Sequence, residues 1–319
     1  MTTRLVMWLA IAACLQVGTI ALLYWPGSEP DAATAEHGAA LLPLPREAIA
    51  HIGVTDTSGN SVDLDRRNNH WFIDDEALPA AAPVVARLLD ALTRPTGFPV
   101  ARSNSARERF EVDGTRFQRR ITFESRSNTP DSDAGDGNAT TTIYLGTSPG
   151  MRRVHARRGD SAAILAIALS TFDVPATVDG WLDPALLATG EFDRVQTGGS
   201  EWIKSGNTWA VSGTDRAVDA AEGEALKGLA QALDTVQVTG VAAADSAASA
   251  AQSAEHEWRL WQSGKADTWQ LASGADGAGA RIYRSDFDRW FTLGSYDYDR
   301  LVRALNVLTA VQAGGDIAD

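Results

Sequence analysis

The feature that most constrains this chain is a segment that occurs twice. Asn69-His70-Trp71-Phe72-Ile73 leads into a helical run reaching residue 92, and Asn207-Thr208-Trp209-Ala210-Val211 leads into another reaching residue 233. Each time a polar turn precedes a Trp-centred β segment and then an amphipathic helix, which is how a duplicated supersecondary unit shows itself in sequence. Two pairs of marks locate the unequal part. Trp71 and Trp209 are 138 residues apart (209 − 71), whereas Leu169-Ser170-Thr171-Phe172-Asp173 and Leu293-Gly294-Ser295-Tyr296-Asp297 are 124 apart (297 − 173). The first copy is therefore longer by 14 residues (138 − 124), the length of the Ser/Asp/Gly/Asn tract at 125–138, which reads as an exposed loop.

Around these marks the pattern predicts an α+β fold of two tandem, similar modules, each mainly antiparallel sheet with a packed amphipathic helix. In the first module strands are expected at 49–55, 61–64, 70–73, 117–123, 140–145 and 152–156. Val84, Val85, Leu88, Leu89 and Leu92 recur at helical spacing. In the second, strands are expected at 192–195, 201–204, 208–211, 256–261, 268–271, 280–283 and 290–293. Leu226, Leu229 and Leu233 mark a helix face, and Leu301, Leu305 and Leu308 mark a closing helix. The resulting organisation is an anchor at 1–25, a linker at 26–40, a first module at 41–178, a connector at 179–190 and a second module at 191–315.

Residues 5–25 carry no charge and are long enough to cross a bilayer as a helix. Trp8, Tyr24 and Trp25 fall where interfacial aromatics collect, and Arg4 gives the positive flank that keeps the N-terminus cytoplasmic. Ile11-Ala12-Ala13-Cys14 reads like a lipobox, but the apolar run continues for eleven residues after Cys14, which favours an uncleaved anchor. Cys14 is the only cysteine, so the exported part relies on its core rather than on disulfides.

The net charge of −13 argues against general nucleic-acid binding. It is uneven: residues 49–175 hold 15 Lys/Arg against 16 Asp/Glu, and residues 185–319 hold 11 against 19. Gly146-Thr147-Ser148-Pro149-Gly150 matches the spacing of a nucleophile elbow. However, Pro149 lacks the backbone N–H that the oxyanion hole needs, so the expectation is a hairpin turn. Asp131, Asp133 and Asp136 miss the glycine and glutamate positions of a calcium loop. The five histidines have no ligand spacing, and no phosphate or dinucleotide fingerprint is present, so no metal and no cofactor is expected.

The polar feature that stands out is Arg152-Arg153-Val154-His155-Ala156-Arg157-Arg158. On a strand, Val154 and Ala156 face inward while Arg153, His155 and Arg157 share the other face; Arg281 and Tyr283 take that face in the second copy. Two readings follow, a cationic patch for an acidic partner or headgroup, and a solvated edge strand guarded by charge. Of Trp71, Trp181, Trp202, Trp209, Trp258, Trp261, Trp269 and Trp290, most are expected in the core. Trp258 and Trp261 cannot share one face of a regular strand.

One N-terminal span followed by Trp-strand–helix modules, an Arg-bearing strand and a Trp-Leu-Asp connector resembles domain-of-unknown-function family 4340 of bacterial envelope proteins. The resemblance covers most of the exported region and carries no catalytic residues. Members often stand beside ABC-type transporter components of the gliding-motility or auxiliary-transport kind, which implies an accessory role. The expectation is a non-enzymatic protein, single-pass in the bacterial inner membrane with its bulk in the periplasm, binding a transporter or envelope partner and not nucleic acid. A periplasmic glycan- or small-ligand-binding module is the alternative. A hydrolase would need carboxylates gathered around His155 or His256.

Overall fold

The computed structural model describes residues 40–73, 77–125, 139–214, 216–274 and 279–315, with side chains to residue 310. The anticipated anchor, nearly all of the linker and the acidic tract at 126–138 lie outside the described residues. Among the described residues, no helix is long and apolar enough to cross a membrane.

Alternation builds the sheets. In β1 (Ile49–Asp56) Ile52 and Val54 are buried; antiparallel register sets them opposite Leu64 and Val62 of β2 (Ser61–Arg67), and opposite Phe123 and Ile121 of β5 (Arg119–Ser125). One face of the sheet is thereby continuously apolar. The first sheet is completed by β3 (His70–Ile73), β4 (Leu78–Pro79), β6 (Thr140–Leu145), β7 (Val154–Arg158) and β8 (Leu165–Ile167), in the order β4-β3-β2-β1-β5-β6-β7-β8. The second contains β9 (Arg194–Thr197), β10 (Ser200–Ser205), β11 (Thr208–Val211), β12 (Val238–Val241), β13 (His256–Gln262), β14 (Lys265–Ala272), β15 (Ala280–Arg284) and β16 (Arg289–Leu293), in the order β11-β10-β9-β13-β14-β15-β16-β12. All these pairings are antiparallel. Asn68-Asn69 turns β2 into β3 with positive φ at both residues, and Ser263-Gly264 does the same between β13 and β14. Such turns match the twist of the flanking strands.

Set β4 and β12 aside and the two orders are the same, strand for strand. Residues 126–139 join β5 to β6, while Ser263 and Gly264 alone join β13 to β14, so the extra length of the first copy falls where the residue intervals place it. Each Trp strand is followed by its amphipathic helix, α1 (Ala82–Thr93) and α3 (Ala220–Asp234). Val85, Leu88, Leu89 and Leu92 of α1 are buried, as are Leu226, Leu229 and Leu233 of α3.

The copies diverge in two places. After α3 the chain adds β12 to the β16 edge. After α1 it touches the β8 side at a single bridge, where Val100 N–H donates to Ile164 O (2.7 Å) and Ile164 N–H to Ala101 O (2.9 Å). After β16 the chain forms α5 (Ser295–Gly315), which packs on α3. After β8 it makes a 3-10 turn at Thr171–Asp173, capped by Ser170 and Asp173; Pro175 blocks its continuation, and a separate 3-10 turn follows at Val178–Gly180.

Between the modules the connector is bonded to both. Ala81 N–H donates to Trp181 O (2.7 Å) and Asp183 N–H to Pro79 O (2.9 Å) on one side. On the other, Val238 N–H donates to Pro184 O (2.9 Å) and Val241 N–H to Asp179 Oδ1 (2.9 Å). Trp181 is fully buried, its indole N–H on Pro175 O at 2.7 Å, within a hydrophobic cluster that includes residues of both modules.

Four elements carry no periodic signal in the sequence. They are β4, β12, α2 (Asn104–Arg109) and α4 (Ala244–Gln252). The first two are short, α2 has six residues, and α4 is made of Ala, Ser, Asp and Gln without a large apolar stripe. These elements decide the fate of the Arg-bearing strand. β7 is not the edge strand that charge patterning suggests, because β6 and β8 flank it.

Candidate functional site

Val154 and Ala156 point into the core as alternation requires. The opposite face of β7 is where the structure departs from expectation: His155 and Arg157 are only 6% and 4% exposed. Ser103 caps α2 by accepting from Ala106 N–H, and the chain then crosses the sheet face at residues 110–112. Thr147 N–H donates to Phe110 O (2.8 Å); the crossing is so close that any Cβ at Gly146 would collide with that oxygen. Ala106, Val112 and Ile164 form a small second core there, with Ala101, Phe110 and Tyr144 packed against it.

His155 stacks on Phe110 (4.1 Å between centroids) and its Nδ1 lies 3.0 Å from Thr147 Oγ1. Burial holds its pKa below the ordinary imidazole value. Arg157 donates through Nε to Val112 O (2.7 Å) and through Nη1 to the carbonyls of Arg158, Gly159 and Ser161 (3.0–3.1 Å), with its guanidinium 5.0 Å from the Tyr144 ring centre. Burial, then the nearby Arg107, pushes its pKa down. These contacts are those of a backbone clamp rather than of a surface cation.

The second module repeats the device. Arg281 reaches Ser246 Oγ of α4 (3.4 Å), and Tyr283 packs on Trp290 (5.6 Å) while donating to Asp288 Oδ1 (2.8 Å). Ala250, Ala272 and Trp290 form the satellite core beneath α4. The five residues singled out by sequence therefore belong to two sheets, each set covered by its own short helix. Only Arg153 projects outward, donating to Ala166 O.

Arg153 borders the larger feature, a groove of about 610 Å³ on the first module. One wall is the outward face of α1, with Ala86, Arg87 and Asp90; the other is Phe98, Val100 and the β8 strand. Arg87 lies 3.7 Å from Asp173, and Asp90 pairs with Arg46. Phe98 is 76% exposed; Val100, Met151 and Phe172 are also exposed, so four of the five large exposed apolar side chains among the described residues belong to this module.

Ser148 Oγ donates to Arg153 O (2.8 Å) and accepts from Gly150 N–H, so the Gly146–Gly150 segment is a turn between β6 and β7. His51 lies between Asp65 (2.9 Å) and Asp63 (3.2 Å) across β1–β2, a trio legible only from strand register; carboxylates engage both ring nitrogens. Among the described residues, no group of His, Cys, Asp or Glu forms a metal site. Trp258 is buried against Trp269 (5.8 Å), whereas Trp261, half-buried, carries Arg194 over its ring at 5.3 Å. Trp71 and Trp209 are likewise half-buried beside Arg66 and Phe192.

Residues 71–256 match the family described as Domain of unknown function (DUF4340). The match runs from the Trp strand of the first sheet to the first residue of β13. No curated protein and no solved structure matches the chain.

Proposed function

The chain belongs to the DUF4340 family, and from that premise we propose that it is a non-enzymatic binding protein, anchored in a bacterial inner membrane by residues 5–25, with both modules in the periplasm. Its partner in this reading is a protein of the envelope, an ABC-type transporter component or an assembly alongside one. The observation that carries the reading is the set of exposed apolar side chains on the first module, Phe98, Val100, Met151 and Phe172. Of these, Phe98 and Val100 share one groove with Arg87, Arg94 and Arg153, and exposed apolar side chains rimmed by charge mark protein-interaction surfaces. A glycan-binding role is less well supported, because the Trp rings that remain accessible already have an arginine or aromatic neighbour.

The test is affinity purification of the full chain from crosslinked, intact membranes with quantitative mass spectrometry. Enrichment of one transporter or envelope protein over an unrelated single-pass control is the expected outcome. Recovery of the protein in the soluble fraction, or an enrichment profile indistinguishable from the control, would sink the reading.

A further inference from the structure

The helices that follow the two Trp strands differ in what faces them. In the second module Ala221, Glu224, Ala225 and Gly228 of α3 border a cleft whose other wall is α5, through Arg300, Arg303, Ala304 and Val307. Shifted by the repeat interval of 138, those α3 positions become Pro83, Ala86, Arg87 and Asp90. All four line the groove of the first module. By this interval the α3 positions bordering α5 correspond to α1 positions that line an open groove, although the two helices do not bury identical faces: Leu89 is buried where Lys227 is exposed. The reason is local: the first copy starts the equivalent helix at Thr171–Asp173, and Pro175 ends it after one turn. The strand that would close the other wall is missing as well: where the second copy has β12, residues 95–101 meet the β8 side only at the Ala101–Ile164 bridge, and Pro95 bridges Ala40 instead.

We propose that this groove receives an acidic amphipathic helix from a protein partner, seated on α1 as α5 is seated on α3. The proposal rests on the reading of the chain as a binding protein and names the site and the kind of ligand. Charge supplies the sign. In the second module the wall with Glu224 meets a helix carrying Arg300 and Arg303. In the first, Arg94 and Arg153 line the groove beside two ion pairs, Arg87 with Asp173 (3.7 Å) and Asp90 with Arg46, which leaves its wall with an excess of positive charge. The complement of that wall is a helix bearing carboxylates one turn apart. Ala86 and Ala91 leave room for the close approach that packed helices require. Phe98 and Val100 offer apolar contact for the helix's other stripe, the helix-in-groove mode of peptide recognition.

The experiment places a photo-crosslinking residue at Ala86, Phe98 or, in the second module, Tyr296, in the full chain expressed in its own membranes. Adducts are then sequenced by mass spectrometry. Probes at Ala86 and Phe98 are expected to capture one and the same peptide, rich in Asp and Glu at i, i+4. Ala86→Trp and Arg94→Glu should each lower that yield at least tenfold while leaving the melting temperature of the purified protein unchanged. Adducts of the groove probes to lipid alone, to a second copy, to residues 1–39 of the same chain or to a basic segment would overturn the proposal. Silent groove probes with a partner captured at Tyr296 would overturn the groove and leave the binding role standing. Silence at all three positions, with no partner in the affinity purification, would remove both.

Discussion

At the scale of single residues, Arg157 and His155 show that the same alternation supports two opposite surroundings. Their shared direction, away from Val154 and Ala156, is legible in the sequence; what covers them is not, because α2 has no apolar period and the 110–112 crossing depends on Gly146. Arg157→Met removes donors from four carbonyls, of Val112, Arg158, Gly159 and Ser161, and should lower unfolding free energy by about 2–4 kcal/mol. Arg157→Lys should recover only part of it, since an ammonium cannot reproduce the planar fork. Urea titration of the three proteins checks both statements. His155 and His256 also make a pH prediction. Burial lowers both folded-state pKa values, so the unfolded chain binds protons more readily. Their contribution is complete above the ordinary imidazole value of 6.5 and is lost as pH falls from there towards the lowered values. Glu222 and Glu255, both held below the usual carboxylate value of 4.5, lose their contribution only in more acidic solution. The urea midpoint should therefore drop between pH 7.5 and 5.5, and His155→Gln should flatten that drop; equal midpoints for the wild type would contradict the assignment.

Elements tell the two copies apart more sharply than residues do. Strand positions and helix faces follow from periods of two and 3.6, and the order of the shared strands repeats, which is why the duplication could be read from Trp71 and Trp209. The helix starts diverged. α3 begins with a capping box between Asp219 and Glu222; Arg216 grips both carboxylate oxygens of Glu222 at 2.6 Å, and the Trp202 indole N–H donates to it at 3.3 Å. α1 instead opens on Ala81 with no side-chain cap and a proline in its first turn. Glu222 is fully buried, so Glu222→Ala should destabilise the protein by about 2–3 kcal/mol, leaving Trp202 and the half-exposed Arg216 without their acceptor. The substitution at the equivalent residue of the first copy, Val84→Ala, should change stability by roughly 1 kcal/mol or less, because Val84 is only partly buried. A comparison of the two variants in one denaturation series decides it.

At the scale of the molecule, the connector determines whether two modules behave as one. Its Trp-Leu-Asp motif reads as a linker mark in the sequence, and nothing in its composition announces that Trp181 is fully buried or that its backbone bonds to both sides. Those contacts arise only when β4 and β12 are in place. Calorimetry of the full chain should show one cooperative transition for residues 40–315. Trp181→Ala should lower stability by about 3–5 kcal/mol and split that transition in two; a single transition at an unshifted temperature would refute the coupling. The connector has one more consequence, for how such a protein is born. The outward N–H groups of Val238 and Val241, on the last strand of the second sheet, are taken by Pro184 and Asp179 of the connector, and Gly240 has no side chain because Asp179 fills that space. A second module made alone, at 191–315, would present this strand as an open template to its siblings. It should self-associate in size-exclusion chromatography with light scattering, and restoring residues 177–190 should return it to a monomer. Because this strap of connector precedes the second module in the chain, it is synthesised before the strand whose edge it covers.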